Sequence, residues 1–233
     1  TAGRGQCESV SGDDVRMSNR VTYILAGGQL SLPFLKEQLD RHSDRTIIAA
    51  DRGLEACVSL GIEPDFVIGD FDSLDKTVRE EFLSQEKNVT KLNPIKDDTD
   101  TEAALTLAFE KTEGDIIILG GTGTRLDHVL GNIGILGQGF AHGRSVELLD
   151  EHNRIRLADG PVTIKKREQY GKYVSLLPLT TEVKGVTLEG FYYPLHEFTL
   201  TSYTSIGISN EIVEEEARIS FDEGVLVMIE SKD

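Results

Sequence analysis

At 233 residues, with 39% apolar and 27% charged side chains, the chain has the makeup of an ordinary globular protein of one large domain or two small ones. A formal net charge of −16 argues against nucleic acid, since no cluster of Lys and Arg faces a row of phosphates; nucleotides stay open, because a divalent metal bridges carboxylate and phosphate. No apolar run is long enough for a membrane span, no secretory signal opens the chain, and Cys7 and Cys57 are too few and too far apart for a disulfide scaffold or zinc site, which fits a reducing cytoplasm.

Residues 1–19 are rich in Gly, Ser and Asp without periodicity and are expected to form a disordered lead or an expression remnant, with Met17 as a natural start. Val21–Thr22–Tyr23–Ile24–Leu25–Ala26 predicts a buried strand ending at Gly27–Gly28, followed by a helix over about 33–42 with Pro33 at an early helical position. Thr46–Ile47–Ile48–Ala49–Ala50 predicts a second strand. Asp51–Arg52–Gly53 then turns into a helix over 54–60 with Gly61 as C-cap and Cys57 as core. Phe66–Val67–Ile68 is the third strand, a helix is expected over about 76–85, and a short strand over 88–92 leads to the turn Lys96–Asp97–Asp98–Thr99–Asp100. An amphipathic helix over 101–111 follows, then Asp115–Ile116–Ile117–Ile118–Leu119, apolar on both faces like a parallel strand. Its end, Gly120–Gly121–Thr122–Gly123–Thr124–Arg125, opens a helix over about 127–137, and a strand over 145–149 closes the series. Alternating strands and helices predict a doubly wound, mostly parallel α/β sheet with helices on both faces. Ligands of such sheets bind beyond the carboxyl ends of the strands.

After Asp150 the texture changes to short, partly alternating runs near residues 162–165, 173–177, 182–188, 197–200, 216–221 and 224–229, punctuated by Gly, Pro and Asn. This predicts a C-terminal all-β sandwich domain. The expected division is 20–150 for the α/β domain and 151–233 for the sandwich, with a boundary near 149–153, no flexible linker and close packing of the two parts.

Four post-strand segments should converge on one rim: Gly27–Gly28, Asp51–Arg52–Gly53, Gly69–Asp70–Phe71–Asp72–Ser73 and the glycine loop ending at Arg125. If the backbone stays extended through Phe71, Asp70 and Asp72 point to one side with Cβ atoms about 6–7 Å apart. That suits two oxygen ligands of a hard cation, or one direct ligand and one acting through water; solvated loops with an N-cap are the plain alternative. The glycine loop fits neither a Walker loop nor a dinucleotide fingerprint, but free backbone N–H groups at a helix start favour phosphate, and Arg125 supplies a permanently charged fork. Asp127 reads as an N-cap or as a site carboxylate, and His128 as a packing residue or a base. Ser205–Ile206–Gly207–Ile208–Ser209–Asn210–Glu211 reads locally as a polar turn.

Taken together, several segments carry a resemblance. They are Ala50–Asp51–Arg52–Gly53, Gly61–Ile62–Glu63–Pro64–Asp65, Gly69–Asp70–Phe71–Asp72–Ser73, Lys96–Asp97–Asp98–Thr99–Asp100, the run from Gly120 through Arg125–Leu126–Asp127–His128, Ser175–Leu176–Leu177–Pro178–Leu179 and Gly207–Ile208–Ser209–Asn210–Glu211. In order and spacing, from about Val21 to the C-terminus, the chain resembles the bacterial type of the thiamine pyrophosphokinase (thiamin diphosphokinase) family. The resemblance implies an ATP-binding α/β domain, a thiamine-binding sandwich, and a homodimer with thiamine near its interface. It implies Mg²⁺ held by Asp70, Asp72 and Asp100 with Asp97 assisting, and phosphate contacts from Lys96 and Thr99. Arg125 would stabilise the transferred group, with further ATP contacts from Asp51, Arg52, Gly53, Gly121, Thr124, His128 and Asn132. Asp127, Ser209 and Asn210 would face thiamine. Tyr193 sits where eukaryotic relatives end an aromatic platform in Trp, which this chain lacks. The implied reaction is attack of the thiamine hydroxyl on the β-phosphorus of ATP, releasing AMP. A pyrophosphokinase for another primary alcohol, such as a hydroxymethylpterin, and a non-catalytic nucleotide or thiamine sensor are the other readings.

Overall fold

The computed structural model describes residues 20–69, the backbone of 90–92, and 98–233. The central strand, β1 (Val21–Leu25), is buried at every position, and its pleat sends alternate side chains to opposite faces. Val21, Tyr23 and Leu25 enter one core with Phe34, Leu35 and Leu39 of α1 (Leu32–Arg41) and Leu54, Ala56 and Cys57 of α2 (Gly53–Leu60). Ile24 and Ala26 enter the other, against Ala104, Leu105, Leu107 and Ala108 of α3 (Asp100–Lys111). A strand covered on both sides has no solvent-facing side, so its one small polar residue, Thr22, must find a partner inside the protein. Thr22 satisfies this by donating its hydroxyl to Thr112 Oγ1 at 2.7 Å, which donates in turn to the Ala108 carbonyl. Cys57 is core as expected, and burial pushes its thiol up to about 12. Gly61, in the left-handed region at φ 65°, caps α2 as its sequence position predicts.

Five strands join β1 in a parallel array: β2 (Arg45–Ala50), β3 (Phe66–Ile68), β4 (Thr90–Leu92), β5 (Asp115–Leu119) and β6 (Val146–Leu149). Their order is β6-β5-β1-β2-β3-β4. From β1 the chain winds outward through β2, β3 and β4, then crosses back to β5 on the other side. The reversal between β1 and β5 opens a crevice at their carboxyl ends. The helix expected over 76–85 lies outside the described residues. The helix expected over 127–137 is α4 (Leu126–Ile135), and Gly137 starts a separate short α5 (Gln138–His142).

The second half is all β, with strands β7 (Asn153–Ala158), β8 (Val162–Lys165), β9 (Tyr173–Pro178), β10 (Glu182–Glu189), β11 (Leu195–Thr201), β12 (Asn210–Glu211), β13 (Glu216–Ser220) and β14 (Leu226–Ser231). It does not form two sheets of its own. Strands β7, β14, β9 and β12 continue the first sheet antiparallel beyond β6, making it ten-stranded, and β11-β10-β13-β8 form the second sheet. Val174, Leu176, Leu226 and Met228 of the shared sheet pack on Val183, Val186, Leu200 and Ile219 of the small one, closing the sandwich. At the expected boundary the chain makes a tight hairpin, with Asp150 Oδ1 accepting from the backbone N–H of His152 and Asn153 at 2.7 Å each.

Strand β7 falls where the sequence marks only a boundary. Its charged face carries Arg154 and Arg156, and both reach Glu230 of β14, a fully buried carboxylate, at 2.7 and 2.8 Å. The Tyr170 N–H completes that carboxylate at 2.8 Å. Glu147, opposite Arg156 in register, is less well placed. Burial raises its carboxyl above the usual range; Arg154 and Arg156 pull it down, and Glu230 adds to the rise. The unfolded chain therefore ionises first, so stability falls as pH climbs through the ordinary carboxylate range and stays lower above the folded value. Glu147→Gln is expected to raise the urea midpoint at pH 7.5 and leave it unchanged at pH 4; an equal shift at both values would contradict this.

Candidate active site at the switch point

The crevice between β1 and β5 is a cleft of about 650 Å³, within the range of small-ligand sites. Its walls are the segments that follow β1, β2 and β5, together with the N-terminus of α3 and one side of α4. Two glycine segments meet at its floor. Ala26 N–H donates to the Leu119 carbonyl at 2.8 Å and Gly28 N–H to the Gly120 carbonyl at 2.9 Å. A Cβ on Gly28 would stand 2.3 Å from Gly120 O and 2.5 Å from Thr122 O, so no other residue fits. Gly28→Ala is expected to destabilise the protein by about 1–3 kcal/mol through overpacking, read as a lowered urea midpoint; an unchanged midpoint would contradict this packing.

Of the residues singled out from the sequence, Asp51, Arg52, Thr99, Asp100, Gly121, Thr124, Arg125, His128 and Asn132 all line this cleft. Asp51 sits at φ 49° and turns the chain from β2, its N–H bonding the Ile68 carbonyl at 2.9 Å. Gly53 has a different part. A Cβ there would lie 1.9 Å from Leu25 O, so Gly53 lets α2 start directly against β1 and is not a wall of the cleft. Thr99 caps α3, its Oγ1 accepting from Glu102 N–H at 3.2 Å. Asp100 is the first residue of that helix, where the dipole favours negative charge. Asn132, buried, donates from Nδ2 to the Gly121 carbonyl at 2.7 Å and ties the glycine loop to α4. Gln29 and Glu55 also line the cleft; Glu55 was signalled only by its place in the first turn of α2.

Asp127 is not an N-cap. Arg125 occupies that position, and Asp127 is the second residue of α4. The two side chains form a bidentate pair, Arg125 Nε donating to Asp127 Oδ1 at 3.2 Å and a second guanidinium nitrogen to Oδ2. Both are mostly exposed, at 70% and 64%. The hydrogen bonds from Arg125 hold the Asp127 carboxyl below the ordinary carboxylate range, so it is ionised while the fork is closed. Arg125 lines the cleft and Asp127 does not.

Tyr193, Ser209 and Asn210 belong to the sandwich, and none of them lines the cleft. Asn210 is buried, and its amide is occupied by backbone: Nδ2 donates to the Tyr193 carbonyl at 2.8 Å, while Oδ1 accepts from Tyr193 N–H at 3.0 Å and Glu211 N–H at 2.9 Å. Tyr193 is thereby held with its ring exposed, edge-on to Tyr192 with centroids 4.8 Å apart. Ser209, at φ 55°, donates its N–H to Ser175 Oγ at 2.9 Å.

Asp70, Asp72, Lys96 and Asp97 lie outside the described residues, and no cluster of three metal-ligating side chains occurs among the described ones. The donors at the rim nonetheless suit a hard divalent cation. Asp51 and Asp100 supply carboxylate oxygen. Gly69, from which the chain continues into Asp70, passes beside both; a Cβ there would stand 3.4 Å from Asp51 N and 3.9 Å from Asp100 Oδ1.

Comparison with known proteins places this cleft in context. Residues 38–148 match the family described as Thiamin pyrophosphokinase, catalytic domain, and residues 161–226 the Thiamin pyrophosphokinase, vitamin B1 binding domain. The thiamine pyrophosphokinase of Bacillus subtilis (strain 168) is 35% identical over 212 residues, 90% of this chain and 98% of that protein. The crystal structure of thiamine pyrophosphokinase from Bacillus subtilis is similar with a TM-score of 0.83 at 34% identity, covering 92% of this chain and 99% of that one. That of thiamin pyrophosphokinase from Geobacillus thermodenitrificans reaches 0.80 at 32% identity, covering 91% and 98%.

Proposed function

The chain belongs to the thiamin pyrophosphokinase family, and from that premise we propose that it transfers the pyrophosphoryl group of ATP to the hydroxyethyl hydroxyl of thiamine, forming thiamine diphosphate and AMP. The observation that carries the reading is the switch-point cleft, walled by glycine backbone and bounded by Arg125 and Asp100. Residues 20–150 take ATP and residues 151–233 contribute to the thiamine site.

Transfer of this kind depends on in-line placement and charge neutralisation more than on covalent chemistry. The loop of residues 120–125 meets the phosphates with backbone N–H groups at the start of α4. Asp51, Arg52, Thr124, His128 and Asn132 shape the ATP pocket, and Lys96 and Thr99 contact phosphate. Asp70, Asp72 and Asp100, with Asp97 assisting, would hold Mg²⁺, which would supply neutralisation of the triphosphate charge. Arg125 stabilises the charge that develops on the transferred group. Asp127 orients the thiamine hydroxyl toward the β-phosphorus. Tyr193 stacks on thiamine beside Ser209, and Asn210 acts through Tyr193 as a positioning residue.

A homodimer belongs to this reading. The thiamine-facing residues of the sandwich do not line their own chain's cleft, and α4 carries apolar side chains left exposed among the described residues: Leu126 is 72% and Leu130 69% exposed, and Asn132 is the buried residue of the helix. A second copy over α4 would cover that face and complete the acceptor site. The co-substrate ATP goes with a cytoplasmic setting. The reading is tested by incubating the protein with ATP, Mg²⁺ and thiamine and separating the thiamine species by chromatography. Thiamine diphosphate is expected; unconverted thiamine, with a hydroxymethylpterin converted instead, would contradict it.

A further inference from the structure

Arg125 stands between two anionic partners, the Asp127 carboxylate two residues on and whatever anion occupies the loop of residues 120–125. We propose that Arg125 pairs with Asp127 before nucleotide binds and crosses to the phosphates when it does, so that nucleotide binding itself frees Asp127 for the incoming acceptor. This inference rests on the function proposed above.

Three observations carry it. The fork is closed on both carboxylate oxygens, so while the pair holds, one acceptor site on each oxygen is taken and the Asp127 charge is matched by the guanidinium. Arg125 lines the cleft and Asp127 does not, so the guanidinium, and not the carboxylate, borders the space a phosphate would fill. Both side chains are more than half exposed, and an exposed pair of this kind is weak, because water and salt screen it and two side chains must be held still. A phosphate chain carries several charges and is further favoured by the α4 N-terminus. The exchange is therefore downhill for Arg125.

Its consequence lies at Asp127. Once its partner leaves, an ionised carboxylate stands two residues along from Arg125 of the cleft wall, suited to a cationic alcohol: it can accept a hydrogen bond from the hydroxyl and favours the positive charge. The acceptor site would thus form only after the donor is bound, which sets an order for the two substrates. A fixed bridge, with Arg125 holding Asp127 and phosphate together, makes the opposite prediction, because Asp127 would then help to aim Arg125.

The test is calorimetric titration of α,β-methylene ATP with Mg²⁺ and no acceptor, on wild type, Asp127→Asn, Arg125→Ala and the double variant. The methylene group blocks pyrophosphoryl transfer, and Asp127→Asn keeps the side chain's size while opening the pair. Exchange predicts a Kd about two- to fivefold lower in Asp127→Asn than in wild type, the worth of one exposed ion pair. It also predicts that this gain disappears in the Arg125→Ala background, which controls for the general effect of deleting a negative charge near a polyanion. An unchanged or weakened Kd in Asp127→Asn, or an equal gain in both backgrounds, would overturn the exchange and leave the function reading intact. A wild type that binds no nucleotide would contradict the function reading itself, and the exchange with it.

Discussion

Arg125→Ala is expected to lower the rate of pyrophosphoryl transfer by about 10³-fold, in the range of arginines that stabilise phosphoryl-transfer transition states. The guanidinium ends the glycine loop at the cleft and stays charged at every working pH. The negative charge it meets grows during the reaction, so its loss should fall on turnover more than on binding. Its side chain is 70% exposed, so the unfolding midpoint should stay within about 0.5 kcal/mol of wild type. Arg125→Lys should recover only part of the rate, because a point charge replaces a planar fork. Single-turnover transfer from radiolabelled ATP reads wild type and both variants directly. A rate for Arg125→Ala within tenfold of wild type would remove Arg125 from the chemistry.

The second large effect is expected at Asp100. A carboxylate on the wall of a pocket for a polyanion repels its ligand unless a cation lies between them, and this one sits in the first turn of α3. Asp100→Asn keeps the shape and removes the charge. If the residue only complements the helix dipole, the loss is about 0.3–1 kcal/mol of stability and little activity. If it binds Mg²⁺, turnover falls by about 10²–10³-fold, the scale of losing one electrostatic contact to the reacting group. The Mg²⁺ concentration for half-maximal rate should also rise. Measuring rate against Mg²⁺ together with the urea midpoint separates the two: a stability loss with an unchanged Mg²⁺ requirement would leave Asp100 a helix residue only.

The parallel core was legible because burial on both faces leaves a plain mark. The Val21–Leu25 and Asp115–Leu119 strands have little room for polar side chains, and each runs into glycine where the chain must turn at the crevice. The start of α3 was legible too, since Thr99 and Glu102 have the spacing of a side-chain cap. Strand β7 was not. Arg154 and Arg156 read as a solvated edge, and nothing local says that Glu230, far along the chain, lies buried opposite them. The same non-local pairing carries the first sheet past residue 150, so a change in texture marked a change of partners within one sheet. The pattern of α4 shows which residues are apolar but not what covers them; Leu126 and Leu130 look like core and are exposed. Asn210 stood in a polar turn without a visible task, because its partners are the backbone atoms of Tyr193 across the sandwich. Of the site residues on short post-strand turns, Asp51, Arg52, Gly121, Thr124 and Arg125 line one cleft, Gly53 does not, and Asp70 and Asp72 lie outside the described residues. Tyr193, Ser209 and Asn210 of the sandwich do not line the cleft of the same chain.

In the proposed reaction one step breaks the bond from the β-phosphorus to the oxygen that bridges it to the α-phosphorus of ATP and passes both outer phosphates to thiamine. ³¹P NMR of the protein with ATP, Mg²⁺ and thiamine, beside an identical sample lacking thiamine, tests it most directly. AMP and thiamine diphosphate should grow together, in equal amounts, only where thiamine is present. ADP appearing with thiamine monophosphate would mean attack at the γ-phosphorus and would contradict the account.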